Sequence, residues 1–107
     1  MPTLKITPAQ SFTQDFGEEC SYTIDITEEL GTKTVNTIVY SITNSLGIDA
    51  TATIGGGSLE ASGIITFGVK GATRGKFTLQ FIVTCVDLLP DGVTPYEFYI
   101  TMYVTII

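Results

Sequence analysis

Between Phe77 and Cys85 every second residue is apolar. Phe77, Leu79, Phe81, Val83 and Cys85 fall on one face, and Thr78, Gln80 and Thr84 on the other, with Ile82 the one apolar residue among them. A period of two matches the alternation of side chains across a pleated strand. A strand with five consecutive inward positions belongs at the centre of a core, so the other apolar segments read as its partners. Gly71 and Gly75 bracket the tight turn that feeds it.

Those partners follow in chain order. Residues 1–16 form an extended N-terminal arm, strand A: Leu4 and Ile6 alternate with Lys5 and Thr7, Pro8 interrupts and Phe12 resumes. A proline in such a run places it at a sheet edge. Cys20, Tyr22, Ile24 and Ile26 give strand B, which ends at Glu28, Glu29 and Gly31; Ile38, Tyr40 and Ile42 give strand C, closed by a turn at 44–47. Ile48, Ala50, Ala52 and Ile54 alternate as a small-residue strand D, and GGGSLEASG (55–63) reads as a flexible connector. No Gly-Lys-Ser/Thr follows those glycines, which argues against a phosphate-cradling loop. Ile65, Phe67 and Val69 form strand E, which precedes the central strand F. A loop over 87–95 turns at Pro90-Asp91-Gly92, and strand G runs from Tyr96 to Ile106 with its even positions inward. About seven short, regularly spaced strands in one domain spanning 1–107 predict an all-β, immunoglobulin-like antiparallel β-sandwich. A small barrel is the competing closure.

Composition narrows the function. The net charge is −6, which disfavours nucleic acid, because the phosphate contribution to binding is then repulsive. Histidine is absent, and with it the commonest general base and metal ligand. No stretch approaches the length needed to span a membrane, and MPTLKITPAQ lacks the apolar core of a signal peptide. The expectation is synthesis and folding in a reducing cytoplasm, with no membrane partner and no cofactor.

The segment Thr66-Phe67-Gly68-Val69-Lys70-Gly71-Ala72-Thr73-Arg74-Gly75-Lys76-Phe77-Thr78 resembles small tail-associated virion proteins of bacteriophages, the fibre–tail adaptor type. These show a strand, a turn of the form G-G-T-x-G, an aromatic and a Thr/Val-rich strand. Tyr22-Thr23-Ile24-Asp25-Ile26-Thr27 is similar to their Y-x-[VI]-D-W strand, and the pattern extends over roughly residues 16–105 to the closing strand Tyr96–Val104. Ile26 stands where an aromatic is usual, Tyr40 where tryptophan is frequent, and Ala72 replaces the second glycine of the turn. The resemblance implies a non-enzymatic structural component of a virion, assembled in the host cytoplasm. Its partners would be other tail, baseplate or fibre proteins. Adhesin modules of the same architecture share such motifs, so a carbohydrate- or cell-surface-binding accessory module is the alternative.

Cys20 opens strand B and Cys85 closes strand F, which run the same way on facing sheets. At ~3.3 Å per residue the thiols stand roughly 25 Å apart, far beyond disulfide reach. Six of the eleven acids lie between Asp15 and Glu29, but no convergent oxygen set for calcium and no paired-carboxylate cleft is readable. No catalytic or metal-binding residue is therefore assigned. Lys70, Arg74 and Lys76 surround the E–F turn, where pairing with Asp15, Glu18 and Glu19 is the simplest expectation.

Two surfaces remain as candidate partner contacts. Alternating strand directions bring the B–C (28–36), D–E (55–63) and F–G (86–95) loops to one end, which carries Glu28, Glu29, Glu60, Asp87 and Asp91 against Lys33 alone. Loops on a rigid scaffold are common binding sites, and an acidic excess steers a basic partner. Tyr99 and Tyr103 point outward from strand G, and the chain closes on Ile106-Ile107, so Tyr99, Tyr103 and Ile107 are expected at an oligomer or partner contact.

Overall fold

The computed structural model describes residues 3–6 and 11–107, with side chains from Ser11 onward. Among the described residues eight strands form two four-stranded sheets. They are β1 (Thr3–Ile6), β2 (Ser11–Gln14), β3 (Glu19–Asp25), β4 (Val35–Asn44), β5 (Gly55–Ala61), β6 (Ile64–Lys70), β7 (Gly75–Leu88) and β8 (Pro95–Ile106). One sheet has the order β1-β3-β6-β5 and the other β2-β8-β7-β4, packed as an immunoglobulin-like sandwich. The expected strands B, C, E, F and G are β3, β4, β6, β7 and β8. The five inward residues of β7 are all buried, and Leu79, Phe81 and Val83 lose their entire exposure.

The N-terminal arm is two edge strands rather than one. β1 pairs in parallel with β3, and β2 pairs in parallel with β8 in the opposite sheet. The arm thus changes sheets, which raises the strand number to eight and makes both of its pairings parallel. Pro8 lies outside the described residues.

Aromatic rings tie the sheets together through the core. Phe12 meets Tyr22 at 4.6 Å between centroids, Tyr22 stacks on Phe67 at 5.5 Å, and Phe67 meets Phe81 edge-on at 5.0 Å. Tyr40 lies flat on Phe81 at 4.7 Å, and its hydroxyl donates across the sandwich to the Gly68 carbonyl at 3.1 Å. Such offset and edge contacts add about 0.5–1.5 kcal/mol each beyond area burial.

Strand D and the glycine connector are corrected. Thr51–Ile54 is a one-turn helix, α2, and Gly55–Ala61 is strand β5. Ile48 and Ala52 are exposed, while Ala50 is half-buried and Ile54 buried, so the spacing of four prevails over the alternation of two. The local cause is Asp49, whose Oδ1 accepts from the Thr51 N–H at 3.1 Å and the Thr51 hydroxyl at 2.6 Å. These bonds start a turn that the Ile54 N–H to Ala50 carbonyl bond closes. Gly55 and Gly56 serve close approach rather than flexibility, and Gly57 supplies a φ of 82°. A Cβ on Gly56 would lie 2.9 Å from the Gly68 Cα, so β5 and β6 meet there backbone to backbone.

The B–C segment contains a second one-turn helix, α1 (Thr27–Leu30), also absent from the sequence reading. Asp25 Oδ1 accepts from the Thr27 N–H at 3.0 Å and hydroxyl at 2.6 Å, repeating the Asp49–Thr51 arrangement. Both helices spell Asp-x-Thr-x-x-(Leu/Ile)-Gly, at 25–31 and 49–55. Each drives its apolar residue, Leu30 or Ile54, into the core at opposite ends of the sandwich.

Both cysteines are free and buried, as the strand register requires. A thiol titration under denaturing, non-reducing conditions is expected to count two per chain; a count below one would contradict the register. In the native protein Cys85 should react slowly, because burial shields the thiol and pushes its pKa up.

Candidate functional site

Strand directions gather the B–C segment, the D–E turn and the F–G hairpin at one end. Hydrogen bonds lock them together. The Ile26 N–H donates to the Gly63 carbonyl at 2.8 Å, joining α1 to the D–E turn. That turn is only Ser62-Gly63, with φ of 53° and 81°. Positive φ at both central residues is the hairpin geometry that matches strand twist. The Thr34 N–H donates to Asp87 Oδ2 at 2.7 Å, and the Val86 N–H donates to the Thr34 carbonyl at 2.8 Å. The Lys33 ammonium sits 4.5 Å from the Tyr96 ring centroid, closing the B–C segment onto β8. Between α1 and the D–E turn lies a cavity of about 330 Å³ whose lining includes Leu30, Lys33, Glu60 and Gly63.

The five acids of this end separate into two roles. Glu60 Oε2 accepts from the Gly63 N–H at 2.8 Å and so closes its own turn. Asp87 anchors the B–C segment. Asp91 accepts from the Val93 and Thr94 N–H groups, both at 2.9 Å, and from the Thr94 hydroxyl at 2.6 Å. Those bonds lower its carboxyl pKa. Glu28 and Glu29, exposed on α1, remain as outward charge.

The F–G hairpin carries a feature that its acids concealed in the sequence. Val86, Leu88, Leu89 and Val93 are all exposed there, Val93 by 78%. β4 pairs with β7 only as far as Cys85, so the tip extends past the sheet. The Leu89 N–H to Thr94 carbonyl and Gly92 N–H to Leu89 carbonyl bonds, 2.7 and 2.9 Å, hold the tip in one shape. The sequence signal was available as three apolar residues, Val86, Leu88 and Leu89, at and beyond the end of the alternating run.

The other candidates sit elsewhere. Tyr99 and Tyr103 project from the outer face of the β2-β8-β7-β4 sheet, 60% and 49% exposed. Ile107, also exposed, lies at the opposite end from the loops, where its N–H donates to the Gln14 carbonyl at 2.9 Å. At that end the expected ion pairing is partly replaced. Lys70 does stand opposite Glu19 in the β3–β6 ladder, but Arg74 lies over the Phe16 ring at 4.2 Å from its centroid. A guanidinium loses little hydration on an aromatic face, which makes this contact competitive with an exposed ion pair. Leu46 and Ile48 are exposed at this end too.

Among the described residues no group of three or more His, Cys, Asp or Glu side chains could hold a metal ion. No helix among them is long and apolar enough to cross a membrane.

The architecture has a known counterpart. The cysteine protease inhibitor EhICP2 from Entamoeba histolytica superposes with a TM-score of 0.52, over 99% of this chain and 97% of that one, at 14% identity. Amebosin matches over the full length of both chains at a TM-score of 0.46 and 10% identity. No protein-family model and no curated protein matches the sequence. At such identity the likeness to the inhibitor extends to the fold alone.

Proposed function

We propose that this chain is a non-enzymatic component of a bacteriophage virion, a tail or fibre-attachment accessory that works by protein–protein contact through the loop end. The observation that carries this reading is the hydrogen-bonded F–G tip with its exposed apolar residues. It presents exposed Leu88, Leu89 and Val93 at the same end of the sandwich as the outward acids Glu28 and Glu29. Preorganised apolar groups with a charged margin suit a protein partner with an apolar pocket and a basic rim. The virion assignment draws on the resemblance of residues 16–105 to tail-associated proteins. The inhibitory activity printed for the solved counterpart is not carried over, since only the architecture is shared.

The test is incorporation into particles. Glu28→Gln with Glu29→Gln should slow incorporation and reduce its salt dependence, and Leu89→Ser with Val93→Ser should abolish it, with the circular dichroism unchanged in both. Asp87 and Asp91 are left in place because they hold the loops. Normal incorporation of both variants would refute the reading. Binding to a glycan array that is lost in Tyr103→Ala would favour an adhesin module instead.

A further inference from the structure

The outer face of the β2-β8-β7-β4 sheet is almost free of charge in a chain of net charge −6. Its cross-strand rows are Thr43–Thr78–Tyr103, Ser41–Gln80–Thr101, Val39–Ile82–Tyr99 and Thr37–Thr84–Glu97. Two charged residues frame it. Lys76, opposite Thr105, stands at one end of the face, and Glu97 stands at the other. Glu97 is held on the face by the Thr84 hydroxyl at 3.2 Å and the Tyr99 hydroxyl at 3.0 Å, both donating to its carboxylate. Beside Lys76 is a hollow of about 360 Å³, lined by Ser11, Ser45, Lys76, Thr78, Tyr103 and Thr105.

This pattern is complementary to itself. A two-fold axis lying between two such faces, perpendicular to the strands and over the Ser41–Gln80–Thr101 row, reverses strand direction while keeping β7 over β7 and β8 over β8. Positions equally distant from that row are exchanged. Tyr99 then faces the partner's Tyr103 and enters the hollow next to it. Ile82 faces the partner's Thr78. Lys76 faces the partner's Thr84, whose hydroxyl holds the partner's Glu97. The cation–anion contact occurs twice, once on each side of the axis, which is the requirement for a closed isologous contact.

We propose that this face is a two-fold self-association surface, with a second copy of the chain as its occupant. Tyr99 fills the hollow, and Lys76 pairs with the partner's Glu97. Four strands at ~4.8 Å spacing and about 27 Å of strand between Lys76 and Thr84 make a flat contact at the small end of specific interfaces. The sheets pack aligned within about 30°. The inference stands apart from the virion reading, because it concerns the purified chain and leaves the loop end uncovered.

The test uses that symmetry. Sedimentation equilibrium of the wild-type chain up to millimolar concentration should show a dimer that weakens with salt. Lys76→Glu alone and Glu97→Lys alone should each weaken it about tenfold or more, since each places like charges across both contacts. An equimolar mixture of the two variants should restore the dimer, because each cross-interface pair again joins opposite charges. Tyr99→Lys should abolish association without altering the circular dichroism. A monomeric wild type, a mixture that stays dissociated, or a dimer that survives Tyr99→Lys would overturn the proposal. Occupation of the hollow by an acidic glycan in a chain that stays monomeric would overturn it as well.

Discussion

Replacing Gln14 with leucine is expected to destabilise the protein by about 3–5 kcal/mol, a large share of the ~5–15 kcal/mol that holds a domain together. Gln14 is 4% exposed and is the one buried polar or charged residue among those described. It projects from β2 in one sheet into partners on the other. Its Nε2 donates to the Val69 and Glu18 carbonyls, both at 2.9 Å, and its Oε1 accepts from the Tyr22 hydroxyl at 2.7 Å. Among the described residues no buried side-chain polar atom lacks a partner, so this network is complete. Leucine matches the volume of glutamine but removes all three bonds. The Glu18 carbonyl keeps the Gly71 N–H at 2.7 Å, but the Tyr22 hydroxyl loses its acceptor. Burial already holds that phenol far above the ordinary tyrosine range, so ionisation gives no escape. Chemical denaturation should show the loss as a lowered midpoint at unchanged slope. Adding Tyr22→Phe to Gln14→Leu should cost less than the sum of the two single changes, because the stranded hydroxyl is gone. Strict additivity would mean that the network contributes nothing as a unit.

The second large effect is expected at a residue with no side chain. A Cβ on Gly68 would lie 2.9 Å from the Gly56 Cα and 3.0 Å from its carbonyl oxygen. Neither neighbour can rotate away, since both are backbone. Gly68→Val should therefore cost about 3 kcal/mol or more by forcing β5 off β6, beyond the usual overpacking range. The same separation would disturb the Tyr40 hydroxyl bond to the Gly68 carbonyl. Gly56→Ala meets the same obstacle from the other strand. One displacement of β5 relieves both clashes, so Gly56→Ala combined with Gly68→Val should cost less than the two losses added. Hydrogen exchange should show β5 amides losing protection first, as expected for an edge strand held by this contact. A wild-type denaturation midpoint in Gly68→Val would refute the close approach.

These two residues also separate what was legible from what was not. Strands with a strict period of two could be read residue by residue. Cys20, Tyr22, Ile24, Ile65, Phe67, Val69 and the five inward positions of β7 are all buried as the alternation requires. The meeting of three loops at one end followed from strand direction alone, as did the separation of the two thiols. Over Ile48–Ile54 an alternating strand and a one-turn helix both put Ala50 and Ile54 on one face, so the apolar spacing alone does not separate them. The Asp-x-Thr pair that decides between them acts through side-chain bonds to the backbone. Its recurrence at 25–31 and 49–55 was visible and is the local signal for both helices.

The candidate site was legible in outline only. Five acids counted along the chain looked like one charged surface. In the fold, Glu60, Asp87 and Asp91 spend their oxygens on Gly63, Thr34 and Thr94, and Glu28 and Glu29 remain. A sequence does not show which carboxylate finds an N–H, because that depends on where the turns place the backbone donors. By itself, then, the chain determined which residues form five of the eight strands and which of their faces point inward, since period-two burial is a local property. Tertiary structure alone decided the rest. It sent the N-terminal arm into both sheets, turned a glycine run into a strand against Gly68, buried Gln14 with three partners, and set Lys76 and Glu97 at opposite ends of one neutral face. Each of these depends on groups far apart in sequence, and their energies exist only once the sheets have met.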